Sequence, residues 1–133
     1  MYKINKIFTF SYGHRLLNDP GKCSRLHGHT GKVKITLGSK TLNESGMVCH
    51  FDELKTKIGT WIETELDHTL LLNENDPLAK ELSKMGEHLK TFEGNPTAEK
   101  IAEMIFYAVK DMGFPITKVK VWESETSNAV FSI

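Results

Sequence analysis

His27-Gly28-His29-Thr30-Gly31-Lys32-Val33-Lys34-Ile35-Thr36-Leu37 alternates in polarity with a period of two, Val33, Ile35 and Leu37 against Lys32, Lys34 and Thr36. That is the signature of a half-buried strand, predicted over 29–38. His27 and His29 share the apolar parity, so both imidazoles project from the core face of whatever sheet this strand joins. Upstream, Phe8, Phe10, Tyr12 and His14 share one parity in a second alternating run, predicted as a strand over 3–14. Pairing the two runs would bring three imidazoles together. Three neutral nitrogens with one coordination position left over describe a catalytic zinc ion.

Working outward, Gly46 marks a turn, after which Phe51, Leu54, Ile58, Ile62 and Leu66 recur at helical spacing. Asp76-Pro77 and Asn95-Pro96 each look like an N-cap followed by proline at the first helical position. The first of these helices should end near Gly86. The second places Ile101, Ile105, Ala108 and Met112 on one face, with Glu99 in its first turn, and should stop near Gly113. Residues 117–123 and 128–133 read as a closing strand pair. The expected class is α+β, a single domain over 1–133 with the order two strands, helices, two strands.

Composition narrows the function. Seventeen basic and seventeen acidic residues cancel, which removes any chain-wide electrostatic argument for nucleic acid or an anionic membrane surface. Small molecules or copies of the chain itself are the expected partners. No apolar run approaches the roughly 20 residues of a membrane span. Met1-Tyr2-Lys3-Ile4-Asn5-Lys6 lacks a signal-peptide apolar stretch, so the cytoplasm is the expected compartment. There Cys23 and Cys49 should be free thiols.

The remaining candidates each admit two readings. Cys23, four residues before His27, could complete a closed zinc shell, or serve as a reactive thiol with Lys22, Arg25 and a nearby dication favouring its thiolate. Cys49, in Met47-Val48-Cys49, reads as a buried structural cysteine. Asp67-His68 could be an ordinary helix end, or a carboxylate that orients a proton-transferring imidazole. Glu123 shares parity with Val119 and Val121, so it needs a partner. A basic side chain would serve, and so would a ligand edge with two adjacent N–H donors, such as that of a pterin or guanine. Lys22, Arg15 and Arg25 are equally open between phosphate contacts and solvated surface cations. His50 and His88 default to surface or packing positions.

Taken together, Phe10-Ser11-Tyr12-Gly13-His14-Arg15-Leu16, Cys23-x-x-x-His27-Gly28-His29, Gly46-Met47-Val48 with Phe51-x-x-Leu54-Lys55, Leu66-Asp67-His68, Asn95-Pro96-Thr97-x-Glu99 and Val121-Trp122-Glu123 resemble the 6-pyruvoyltetrahydropterin synthase / 6-carboxytetrahydropterin synthase family nearly end to end. The three-residue gap between Cys23 and His27 resembles the bacterial queuosine-pathway branch. The resemblance implies the tunnelling fold, or T-fold: a four-stranded antiparallel sheet with helices on one face, whose copies join into an oligomeric barrel of trimers or hexamers with sites between subunits. It implies zinc held by His14, His27 and His29, Cys23 as catalytic thiol, Asp67 and His68 as the proton relay, and Glu123 with Thr97 on the pterin. The implied reaction converts 7,8-dihydroneopterin triphosphate to 6-carboxytetrahydropterin, acetaldehyde and triphosphate. Alternatives are triphosphate elimination to 6-pyruvoyltetrahydropterin, or a zinc-stabilised pterin- or purine-binding module without chemistry. Two departures stand out: His50, where bacterial relatives more often carry an acid, and the longer chain from Asn73 to Gly94.

Overall fold

The two histidine-bearing runs pair as expected and form the longest ladder of the molecule. In a computed structural model describing Met1–Ile133, β1 (Tyr2–His14) and β2 (His27–Ser39) run antiparallel with His14 opposite His27 and Tyr12 opposite His29. β5 (Ile116–Trp122) adds to β2, and β6 (Asn128–Ser132) adds to β5, both antiparallel. This four-strand unit is the expected one, but it is not the whole sheet. β3 (Thr69–Asn73) joins the end of β1 in parallel, and β4 (Leu89–Phe92) joins β3 in parallel. The sheet therefore has six strands, mixed, in the order β4-β3-β1-β2-β5-β6. Thr69–Asn73 is too short and too uniformly apolar to show a period, which is why the sequence pattern does not separate it from the preceding helix.

Three helical segments cover one face. The first, α1, runs as α-helix over Phe51–Glu53, a π-helical turn over Leu54–Ile58 and α-helix again over Gly59–Glu65. The π turn has a physical reason in the sequence. Leu54, Ile58, Ile62 and Leu66 are spaced strictly by four, and at 3.6 residues per turn that row drifts about 40° per step. Underwinding the helix once keeps all four against the sheet, where all are buried. Phe51, expected on the same stripe, precedes the correction and is exposed. α2 (Pro77–Lys84) starts at the expected cap, Asp76, whose carboxylate accepts from Leu78 N–H at 2.9 Å. α3 (Ala98–Asp111) starts two residues later than expected. Thr97 is its cap, accepting from Lys100 N–H at 3.2 Å, and Asn95 is released for another task described below.

The helices and the inner face of the sheet share one core, in which Phe10, Val33, Ile35, Val119 and Val121 meet Ile58, Ile62, Ile101, Ile105 and Phe106. The opposite face stays open and carries Lys32, Lys34, Lys118 and Lys120, with Lys32 and Lys120 over the Trp122 ring. The segment 73–94 is thus a compact α2–β4 unit.

That unit is tied to the end of β1 by an ion pair. Asp76 is buried and receives both Arg15 Nε, at 2.7 Å, and Arg15 Nη2. Arg15 is therefore neither a phosphate contact nor a solvated cation. The guanidinium first, and the Leu78 N–H after it, hold the Asp76 carboxyl below its ordinary range, against a burial cost. A carboxyl lowered in the folded state stabilises the fold above its unfolded pKa and loses that contribution as pH falls through the folded value. Asp76→Asn should cost about 2–3 kcal/mol at pH 7, read from denaturant unfolding. The difference from the native chain should shrink below about pH 4.

Candidate active site

The ladder between β1 and β2 ends in three imidazoles set edge to face. His14 is buried, His27 and His29 are half-buried, and one ring nitrogen from each falls within 4.8 Å of the others. His14 Nδ1 donates to the Pro96 carbonyl at 2.8 Å, and His27 Nδ1 donates to the Arg25 carbonyl at 2.7 Å. These bonds set both tautomers and leave bare lone pairs on Nε2. His14 Nε2 and His29 Nε2 face each other at 3.2 Å, close to the roughly 3.3 Å that two nitrogens adopt on a tetrahedral zinc. Burial is the largest influence on His14 and lowers its pKa, so the ring is held neutral, as a metal ligand must be. The donor set fits zinc. The cluster contains the imidazoles and not the Cys23 sulfur, so a fourth position is open.

A cavity of about 250 Å³ opens on the cluster, and Cys23, Thr97, Glu99 and Glu123 line it with the histidines. Cys23 is exposed on a single 3₁₀ turn, Lys22–Ser24, whose carbonyl at Cys23 accepts Leu16 N–H at 2.7 Å and so ties the loop to the end of β1. Glu123 lies one residue past β5, its Oε1 4.0 Å from His14 Nε2. Thr97 spends its lone pair on the α3 cap, which leaves its hydroxyl proton for a ligand. Glu99 is the site residue that the sequence pattern did not single out; its place in the first turn of α3 accounted for an acid there without reference to any ligand.

Asp67 and His68 do not line this cavity. His68 lines a neighbouring depression with Ser11, Gly28 and Thr30, and His27 and His29 border both. Asp67 accepts from Ser11 N–H and from His68 Nδ1, each at 2.8 Å, and His68 N–H donates to the Ser11 carbonyl. The Ser11 N–H is the main cause of a lowered Asp67 pKa, with His68 contributing after it. His68 adopts φ 55° and its side chain is 82% exposed, so Nε2 points outward, bare and able to take a proton. His68 and the Cys23 of its own chain thus line different cavities.

Of the other candidates, Cys49 is half-buried rather than fully enclosed, with its thiol 3.4 Å from Glu53 Oε2. His50 is the exposed N-cap of α1, accepting Asp52 N–H on Nδ1, a role an acid can also fill. His88 is exposed and lies 3.0 Å from the Thr69 hydroxyl.

Asn95 holds the cluster from behind. Its Oδ1 accepts Leu17 N–H at 2.8 Å and Asn73 Nδ2 at 3.0 Å, while its Nδ2 donates to the Leu17 carbonyl at 3.1 Å. The turn is thereby clamped to the end of β1 with the Pro96 carbonyl presented to His14. Asn95→Ala should weaken zinc binding about tenfold, measured by competition with a chromophoric chelator.

The profile of the family described as 6-pyruvoyl tetrahydropterin synthase matches residues 3–132. A 6-carboxy-5,6,7,8-tetrahydropterin synthase of Rickettsia bellii is 32% identical, over 93% of this chain and 95% of the relative. One from Haemophilus influenzae is 36% identical over 96% of each. Among solved structures, an uncharacterized protein from Wolinella succinogenes superposes with a TM-score of 0.81 at 26% identity, covering 98% of this chain and 97% of that one.

Proposed function

Because this chain belongs to the 6-pyruvoyl tetrahydropterin synthase family, we propose that it is a lyase acting on a pterin, a 6-carboxy-5,6,7,8-tetrahydropterin synthase that uses zinc. The observation that carries the reading is the convergence of three imidazole lone pairs, one thiol, one hydroxyl and two carboxylates on a single cavity. A binding module needs no thiol beside an open metal position.

The substrates are 7,8-dihydroneopterin triphosphate and one water, and the products are 6-carboxytetrahydropterin, acetaldehyde and triphosphate, the bond between the first and second side-chain carbons breaking. His14, His27 and His29 hold zinc, which when bound supplies Lewis acidity toward the side-chain hydroxyls of the substrate. Cys23, as thiolate, takes a proton from the adjacent carbon, and His68, oriented by Asp67, moves the second. The ring is reduced by tautomerisation, so no external reductant is required. Thr97 and Glu123 address the pterin, Glu123 accepting its paired N–H edge.

One observation favours a second arrangement of the acids. Glu123 is 4.0 Å from a metal-ligand nitrogen, whereas the N–H edge lies at the far end of the ring from the reacting side chain. Glu99, on the same cavity, then takes the ring edge, and Glu123 works at the metal end. In the first arrangement Glu123→Gln raises KM about tenfold or more and Glu99→Gln is near silent. In the second Glu99→Gln raises KM and Glu123→Gln lowers kcat.

His68 does not line the cavity that holds Cys23, and that cavity is smaller than the roughly 300–1,000 Å³ usual for small-molecule sites. Both features support a site completed by a second copy, whose Asp67 and His68 reach the first chain's Cys23. The stretch of β1 that β3 does not cover, Tyr2–Phe10, and the outer edge of β6 are suited to joining copies into a trimeric barrel, with two trimers in a hexamer. No helix is long and apolar enough to cross a membrane, and both thiols are free, which accords with a cytoplasmic enzyme.

The test is anaerobic incubation of the zinc-loaded protein with dihydroneopterin triphosphate, followed by mass spectrometry. Acetaldehyde with 6-carboxytetrahydropterin is the expected result. Triphosphate without acetaldehyde would move the assignment to 6-pyruvoyltetrahydropterin synthesis, and no turnover by metal-loaded oligomer would overturn the substrate.

A further inference from the structure

Tyr12 carries the one buried side-chain polar atom in the molecule without a hydrogen-bond partner. The residue is 4% exposed, and a phenol so placed is normally paired. Its surroundings show where a partner would come from. Tyr12 stands opposite His29 on the β1–β2 ladder, and its ring lies 5.2 Å from that of His14 and 5.5 Å from that of His29, centroid to centroid. The ring crosses β2 at Gly31, where an added Cβ would sit 3.0 Å from Tyr12 Cε1. Only glycine leaves that passage open. The next strand over is β5, and one step past its Lys32–Trp122 pairing, beside Gly31, comes Glu123. A phenol keeps its proton at neutral pH and is a donor.

We propose that Tyr12 is a positioning residue, its hydroxyl donating a hydrogen bond to the Glu123 carboxylate in the substrate-loaded site and holding that carboxylate against the ligand. The inference rests on the reading that Glu123 addresses the substrate. In this structure Glu123 leans toward His14 at 4.0 Å; the pairing asks it to turn toward Tyr12, at a strand end where its side chain is 30% exposed. Leaving the donor unpaired until then is a local cost in stability exchanged for a preset hydrogen bond at the site.

The experiment compares Tyr12→Phe, Glu123→Gln and the double variant in the full, zinc-loaded chain, reading thermal unfolding, zinc content, kcat and KM. Removing an orphan hydroxyl should raise the unfolding midpoint of Tyr12→Phe by about 3–5 °C, with zinc content unchanged. Its kinetic loss should be about fivefold to tenfold, in the same parameter that Glu123→Gln changes. On the Glu123→Gln background the tyrosine substitution should cost little more, the mark of two groups acting as one. Losses that multiply in the double variant, a fall in zinc content, or unchanged kinetics in Tyr12→Phe would each overturn the pairing. A silent Glu123→Gln beside an impaired Tyr12→Phe would also overturn it, and would separately remove Glu123 from the substrate site.

Discussion

Replacing Cys23 by alanine is expected to reduce turnover of dihydroneopterin triphosphate by at least about a hundredfold while leaving zinc binding intact. The two halves of that result come from two separate features. The proposed metal donors are the ring nitrogens of His14, His27 and His29, set by the β1–β2 register and by backbone carbonyls at Pro96 and Arg25. None of these groups depends on the thiol. The thiol sits on its own turn, exposed, at the mouth of the same cavity, where a bound dication would favour its thiolate. Metal content measured beside product formation separates the alternatives. If Cys23→Ala lost zinc in step with activity, the thiol would be a fourth ligand and the centre structural. If it kept both, some other base would be moving the proton.

The second large effect should come from mixing two inactive variants. Cys23→Ala and His68→Ala homo-oligomers should each be nearly inactive, yet co-refolding them in equal amounts should recover activity in about a quarter of the sites, the share in which an intact thiol meets an intact relay on random assembly. The reason is the placement of the relay. Asp67 is pinned to the Ser11 backbone, and His68 projects outward from it. Cys23 opens onto the other cavity. A site built within one chain would recover nothing on mixing, and product assays on the mixed oligomer would show that directly.

Much of this was legible in the residues because it depends on local periodicity. Val33, Ile35 and Leu37 define a strand, and a period of two decides without tertiary information that His27 and His29 share a face with them. The cap at Asp76 is equally local, since a carboxylate just before Pro77 reaches Leu78 N–H by short-range geometry alone. Asn95-Pro96 carries the same local signal and behaves differently. Asn95 pairs with Leu17 and Asn73, distant in sequence, and the helix begins at Ala98 instead. Propensity yields there to a hydrogen-bond network that only a folded chain can offer.

The family and the convergence of three imidazoles were therefore determined by the sequence itself: motif order and strand parity place the three rings on one surface, and their spacing is a property of the β pleat. The tertiary structure alone decided the rest. It extended the sheet to six strands, because parallel pairing of β3 and β4 is non-local and three consecutive leucines in a five-residue strand show no period. It took Arg15 out of the phosphate question by burying its partner, Asp76. It also placed Glu99 and Glu123 on one cavity, Tyr12 across Gly31, and His68 on a different cavity from Cys23. Each of these is a relation between segments far apart in the chain, set by packing and register, and no local pattern in either segment encodes it.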